Sequence, residues 1–228
     1  MTSTRRAAAA AGALFLLTHV TSVPAALLYD SAFGPGGALE PGDAGAVRIA
    51  ALLEVVLALG VVGTAFVLYP LVRRQHEGIA LGYVALRTLE AGVILVGVVT
   101  ALAVVTMQSG DGTTAVVRDG LIAVHDWTFL VGPGLVCGAN TVLLAHLLHR
   151  AGAVPRFITV LGLVGGPLIA TANAGELLGL HDGISGAGGV LVVPIFAWEV
   201  CLAVYLIARG LGADAGRPAV DRPVPVPA

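Results

Sequence analysis

The chain has 228 residues, 57% of them hydrophobic and only 11% charged, with a formal net charge of −2. Soluble domains carry roughly 25% charged residues, so a soluble globular enzyme and a disordered chain are both disfavoured. Nor does the charge supply a basic field to hold a nucleic-acid backbone. An integral membrane protein remains. Crossing the ~30 Å hydrocarbon core takes roughly 20 apolar residues in helical form. Without water to satisfy the backbone, each crossing segment must be a helix.

Six segments meet that length, near residues 7–29, 46–70, 79–107, 121–148, 156–179 and 188–209. The first connection, 30–45, holds two prolines and five glycines and reads as a flexible loop. Residues 70–78 form a short basic turn, 108–120 a polar loop, 149–155 another short turn and 180–187 the last loop. The predicted fold is all-α: a polytopic membrane bundle of six transmembrane helices over residues 1–211. A Pro- and Ala-rich tail, 212–228, is expected to be disordered.

All the cationic side chains are arginines; the chain has no lysine. Arg5, Arg6, Arg73, Arg74, Arg150, Arg156, Arg209, Arg217 and Arg222 fall on one side of the expected topology, and only Arg48 and Arg118 on the other. Positive residues mark the cytoplasmic side, so both termini are expected there, in a bacterial inner membrane. One rival reading takes Arg5-Arg6, the apolar run and Val23-Pro24-Ala25 as a cleavable signal peptide. The run continues to Leu28, long enough to span, which favours a retained helix. Cys137 and Cys201 both lie in apolar runs and indicate no disulfide framework.

Three stretches carry a resemblance: LLEVVLALGVVGTAFVLYPLVRRQHEGIALGYVALRTLEAGVILVG, LIAVHDWTFLVGPGLVCGANTVLLAHLLHRAGAVPRFITVLGLVGGPL and FAWEVCLAVYLIARG. Together they resemble the domain-of-unknown-function 4386 family of bacterial membrane proteins, from about residue 7 to 211. The resemblance implies a six-helix membrane protein and carries no activity with it.

Ionisable residues at membrane depth are costly, and they usually face a bundle interior or a cavity. Here they are Glu54, Arg87, Glu90, Asp126, Glu176 and Glu199, with His19 and His125 beside them. Arg87 and Glu90, three apart, share a helix face and suit a structural ion pair or a contact to a charged substrate. Glu54 is read either as a helix-to-helix hydrogen-bond acceptor, with Arg87 as donor, or as a proton carrier. His125-Asp126-Trp127 opens the fourth segment. Trp127 suits an interfacial anchor, and His125 a proton donor or metal ligand. Gly132-Pro133-Gly134 invites a bend, and Asp126, Pro133, Cys137 and Asn140 share a stripe there. Gly162, Gly166 and Asn173 form another stripe, with Glu176 one turn on; small residues so spaced signal close helix approach. Glu199 lies mid-helix, away from either interface, so it must be paired, protonated or solvated, and Arg87 is a candidate partner. Five acids against one arginine cannot all be ionised in a low dielectric.

His146 and His149 could begin a zinc site that needs a third ligand, for which His76 is the loop candidate; the neighbouring Arg150 argues against a cation there, so no metal is expected. No Walker loop, dinucleotide fingerprint, HExxH or GxSxG triad is present, and no cofactor is implied. The expected partners are the lipid bilayer and a small molecule or proton. Three functions stay open: a structural or accessory protein, a small-molecule or proton-coupled transporter, and an intramembrane enzyme acting on a lipid. The candidate polar cluster is Glu54, Arg87, Glu90, His125, Asp126, Asn173, Glu176 and Glu199. Arg87 is expected to face the interior and draw helices 2, 3 and 6 together.

Overall fold

The computed structural model describes residues 3–33, 43–107, 112–181 and 189–212. Its helices are α1 (Ser3–Phe33), α2 (Asp43–Val72), α3 (Glu77–Thr106), α4 (Gly112–Phe129), a π-helix (Leu130–Val136), α5 (Cys137–Ala151), α6 (Arg156–Leu177) and α7 (Gly189–Ala208). The α4, π and α5 pieces run on without a break and make one pass. Among the described residues six helices are therefore long and apolar enough to cross a membrane, and this is a multi-pass membrane protein. Large apolar side chains face outward along them, with Leu59 69%, Phe66 78% and Val99 67% exposed. Such a surface suits lipid and would be a liability in water.

Local signals set several ends. The His76 side chain caps α3 by accepting from the Ile79 amide at 3.2 Å. Gly152, at φ 56°, ends α5 in the left-handed region that a residue with a Cβ adopts only at a cost. Six passes return the chain to the face from which it began, called here the terminal face, with the far face opposite. Arg5 ties the two chain ends together, donating to Ala208 O at 2.9 Å and Arg209 O at 3.3 Å. These are among the open carbonyls at the end of α7, where a cation is favoured.

The helices form a closed ring: α1 packs on α2 and α7, α2 on α3, α3 on α5, α5 on α6, and α6 on α7. Toward the terminal face, Phe15, Leu68, Tyr83, Leu144, Leu148, Ile158, Trp198, Leu202 and Leu206 build the main apolar core. Glycines let the backbones close over it. A Cβ on Gly166 would lie 2.6 Å from Gly138 O, one on Gly12 2.5 Å from Ala203 O, and one on Gly162 2.7 Å from the Trp198 ring. Toward the far face the buried cluster is smaller and confined to α1, α2 and α3, around Ala25, Tyr29, Val47, Ala50 and Ala101. There α4 leans chiefly on α3.

One expected loop is corrected. Residues 112–120, read as the second half of a polar loop, are helical and extend the fourth pass toward the far face. Adding residues to an existing helix is far easier than nucleating one, and Arg118 bonds Asp119 at 3.1 Å along this extension. Residues 34–42, 108–111 and 182–187 of the expected loops, residue 188 of the expected sixth segment and 213–228 of the expected tail lie outside the described residues.

Candidate functional site

The polar side chains separate into two groups along the bundle. The deeper one centres on Arg87, 3% exposed, on α3. Its Nη1 donates to Glu90 Oε2 at 3.2 Å and to Oε1 at 3.4 Å, and its Nη2 donates to Glu199 Oε1 on α7 at 3.4 Å. Asn140 on α5 donates to Glu90 Oε2 at 2.6 Å. His19 Nε2 on α1 lies 3.4 Å from Glu199 Oε2, and its Nδ1 is 2.9 Å from Phe15 O. The guanidinium also sits over two rings, Phe15 at 5.4 Å and Tyr83 at 5.9 Å. Helices α1, α3, α5 and α7 thus meet at one ion network. Arg87 reaches an acid on another helix, Glu199 of the sixth pass, as expected; the expected meeting with the second helix is corrected, because Glu54 on α2 takes no part.

Charge counting gives this network a chemical character. One guanidinium faces two carboxylates, so the set is neutral only with one added proton, on His19 or on a carboxyl group. An isolated net charge at this depth would be prohibitive. Arg87 Nε has no hydrogen-bond partner among the described residues, so the planar fork keeps one free donor. The network is not sealed. A cavity of about 130 Å³ is lined by His19, Arg87, Glu90, Cys137 and Glu199, with Phe129 and Pro133 on its far-face side.

Glu54 belongs to the second group. It is 5% exposed, and its Oε2 accepts from Tyr29 Oη at 3.1 Å. His125 Nδ1 lies 3.1 Å from Gly97 O; a carbonyl only accepts, so the ring nitrogen donates. Gly97 makes this approach of α4 to α3 possible, because a Cβ there would meet Thr128 Oγ1 at 2.5 Å. The His125 ring lies against Tyr29, centroids 4.4 Å apart, and Phe33 stacks on Tyr29 at 5.5 Å. Together these residues, with Asp30, Asp126 and Phe129, line a cleft of about 310 Å³ between α1 and α4. A third cavity of about 300 Å³ lies on the other side of α4, lined by Asp126, Phe129, Gly134, Asn173 and Glu176.

Two expectations about burial change. Asp126 is exposed and Glu176 half-buried, so the fully buried acids are Glu54 and Glu90, with Glu199 close behind at 14% side-chain exposure. His125 faces α3 and turns its neighbour Asp126 away from it, while Glu176 lies in the last turn of α6. Asn173 donates to Ile169 O on its own helix and does not join the Arg87 network. At the terminal end of α5, the Thr159 hydroxyl donates to Arg156 O, so His149 Nδ1 donates to Thr159 Oγ1 at 2.8 Å. That nitrogen is thereby occupied as a donor. Among the described residues, no three His, Cys, Asp or Glu side chains are placed to hold a metal.

Phe129 is the residue that the sequence did not single out. It borders the cleft, the inner cavity and the third cavity alike, and it is followed at once by the π-helix. Pro133 cannot donate a backbone bond, and the Gly132-Pro133-Gly134 run resolves this by widening the helix. Such π-segments concentrate at functional sites. Tyr29 was also overlooked: it closes the expected first segment and Phe33 fell in the expected loop, so their shared face exists only because α1 runs on to Phe33.

No curated protein and no solved structure matches the chain. A family model does, over residues 10–210, and it is described as a domain of unknown function. By that match, which covers most of its length, the chain belongs to the DUF4386 family.

Proposed function

We propose that the protein is a small carrier of the bacterial inner membrane. It would take a small polar molecule from the far face and couple its passage to a proton held in the Arg87 network. The arginine asymmetry of the sequence supports a cytoplasmic terminal face. One observation carries the reading: the buried network Arg87–Glu90–Glu199–His19 borders a cavity, and the same Phe129 borders that cavity and the far-face cleft. Ion pairs that serve only to hold helices together have no need of a cavity. Intramembrane ionisable groups beside one mark substrate and proton pathways. The π-helix that follows Phe129 supplies a place where the pass could bend. The far-face cavities beside the glycine-packed terminal half are what one end state of alternating access would look like.

Cys137 gives the test, because it lines the inner cavity and is a free thiol. In a Cys201→Ala background, reconstituted into liposomes, impermeant methanethiosulfonate reagents, one cationic and one anionic, are added from either face. A carrier exposes Cys137 to each face in turn, so labelling is expected from both. Labelling from the far face alone would make the protein a receptor or binding protein. Labelling from neither would leave the ion network as a packing device, with the protein structural or accessory.

A further inference from the structure

Glu54 stands apart from the other buried acids. Glu90 receives bonds from Arg87 and Asn140, and Glu199 has Arg87 and His19 beside it. Glu54, equally buried, has only the neutral hydroxyl of Tyr29 on its Oε2. Its Oε1 has no hydrogen-bond partner, and no Arg or His nitrogen comes within ion-pair distance of it, among the described residues. An acid in this position must be protonated, solvated or matched by a positive charge, and it faces a cavity with room for a cation. The walls suit the same guest. Tyr29, Phe33 and Phe129 offer ring faces, to which a cation is drawn by the negative π surface. His125 donates its Nδ1–H to Gly97 O, and the neutral ring then leaves Nε2 as a further acceptor. Exposed Asp30 and Asp126 at the cleft add negative potential. A volume of about 310 Å³ lies at the lower end of the roughly 300–1,000 Å³ range of ligand pockets, which sets the guest as small.

We propose that the far-face cleft binds a small organic cation, an alkylammonium whose charge meets Glu54 and whose alkyl groups lie against Tyr29, Phe33 and Phe129. An anion would face three carboxylates with no arginine in the cleft. A bare metal ion would leave the aromatic walls without a role. The proposal deepens the carrier reading by naming its substrate class, and rests on it only for what happens after binding.

The test is calorimetric titration of the full chain in lipid nanodiscs with choline, tetramethylammonium and butylammonium. The control is 3,3-dimethylbutan-1-ol, which has the shape of choline without its charge. At least one ammonium is expected to bind saturably at one site per chain, and choline at least about tenfold tighter than the alcohol, the increment expected of a desolvated cation–π contact with an ion pair. Glu54→Gln should weaken binding by at least about tenfold, and Phe33→Leu by a few-fold, with elution profiles like that of the wild type. Should Glu54→Gln fail to fold, Glu54→Asp and Phe33→Leu carry the same comparison. Equal binding of the alcohol, unchanged binding by folded Glu54 variants, or no binding of any of the three ammoniums would overturn the proposal. Choline binding with Cys137 labelled from one face alone removes the carrier and keeps the site; labelling from both faces without ammonium binding does the reverse.

Discussion

Toward the terminal face, glycines bring backbone against backbone; toward the far face, the same six helices stand around rings, carboxylates and cavities. The first region is held by contacts such as Gly138 with Gly166 and Gly162 with Trp198, over a core that draws on α1, α2, α3, α5, α6 and α7. The second has a buried cluster drawn from three helices, and its fourth pass leans chiefly on α3. In lipid, helices gain little from merely hiding apolar side chains, so close packing of small residues decides where a bundle is tight. In the far-face half Gly97 brings α4 against α3 in the same way, but the sides of α4 turned toward α1 and α6 border cavities instead. The Arg87 network lies where the two regions meet, and joins them.

The largest effect expected is at that junction. Arg87→Ala leaves Glu90 and Glu199 without their cation, and breaking one side of a buried pair costs about 3–5 kcal/mol. Thermal unfolding in detergent should show a large loss, with Arg87→Lys recovering only part of it, because an ammonium cannot reproduce the planar fork. Gly166→Val comes next. Its Cβ would meet the Gly138 carbonyl, which is backbone and cannot swing aside, so a cost at or above the roughly 1–3 kcal/mol of overpacking is expected. Phe129→Ala should change unfolding much less, since the ring is 46% exposed, while raising the rate of Cys137 labelling from the far face. The smallest effect belongs to Gly92→Ala. Nothing lies within 4 Å of the added methyl, and within a helix the change should be stabilising by about 0.5–1 kcal/mol. A Gly166→Val protein as stable as Gly92→Ala would erase the distinction between tight and open regions.

The six passes were legible because length alone sets a membrane helix, and the apolar runs are long and well separated. The junction was partly legible. A mid-helix Arg87 and Glu199 have few ways to be satisfied, and pairing each other is the simplest. Glu54 was not assignable by the same reasoning, since its depth matches that of Arg87's other partners and nothing in sequence fixes the rotation of α2. Its partner, Tyr29, comes from the end of α1. Gly132-Pro133-Gly134 announced an irregularity, but whether it becomes a kink or a π-helix depends on how α4 and α5 must each sit against α3. Phe129 owes its place to that register and to the gap beside α4, neither of which appears in any local pattern.

Amide hydrogen exchange in nanodiscs, read peptide by peptide, tests the central contrast most directly. Exchange needs both water and a broken helix bond. Segments 121–136, which line the cavities and contain the π-helix, should exchange well before segments 140–151 and 156–168, which lie in the glycine-packed half. Equal protection of α4, the π-helix and α5–α6 would contradict the account, because it would mean that the far-face half is as closed to water as the rest.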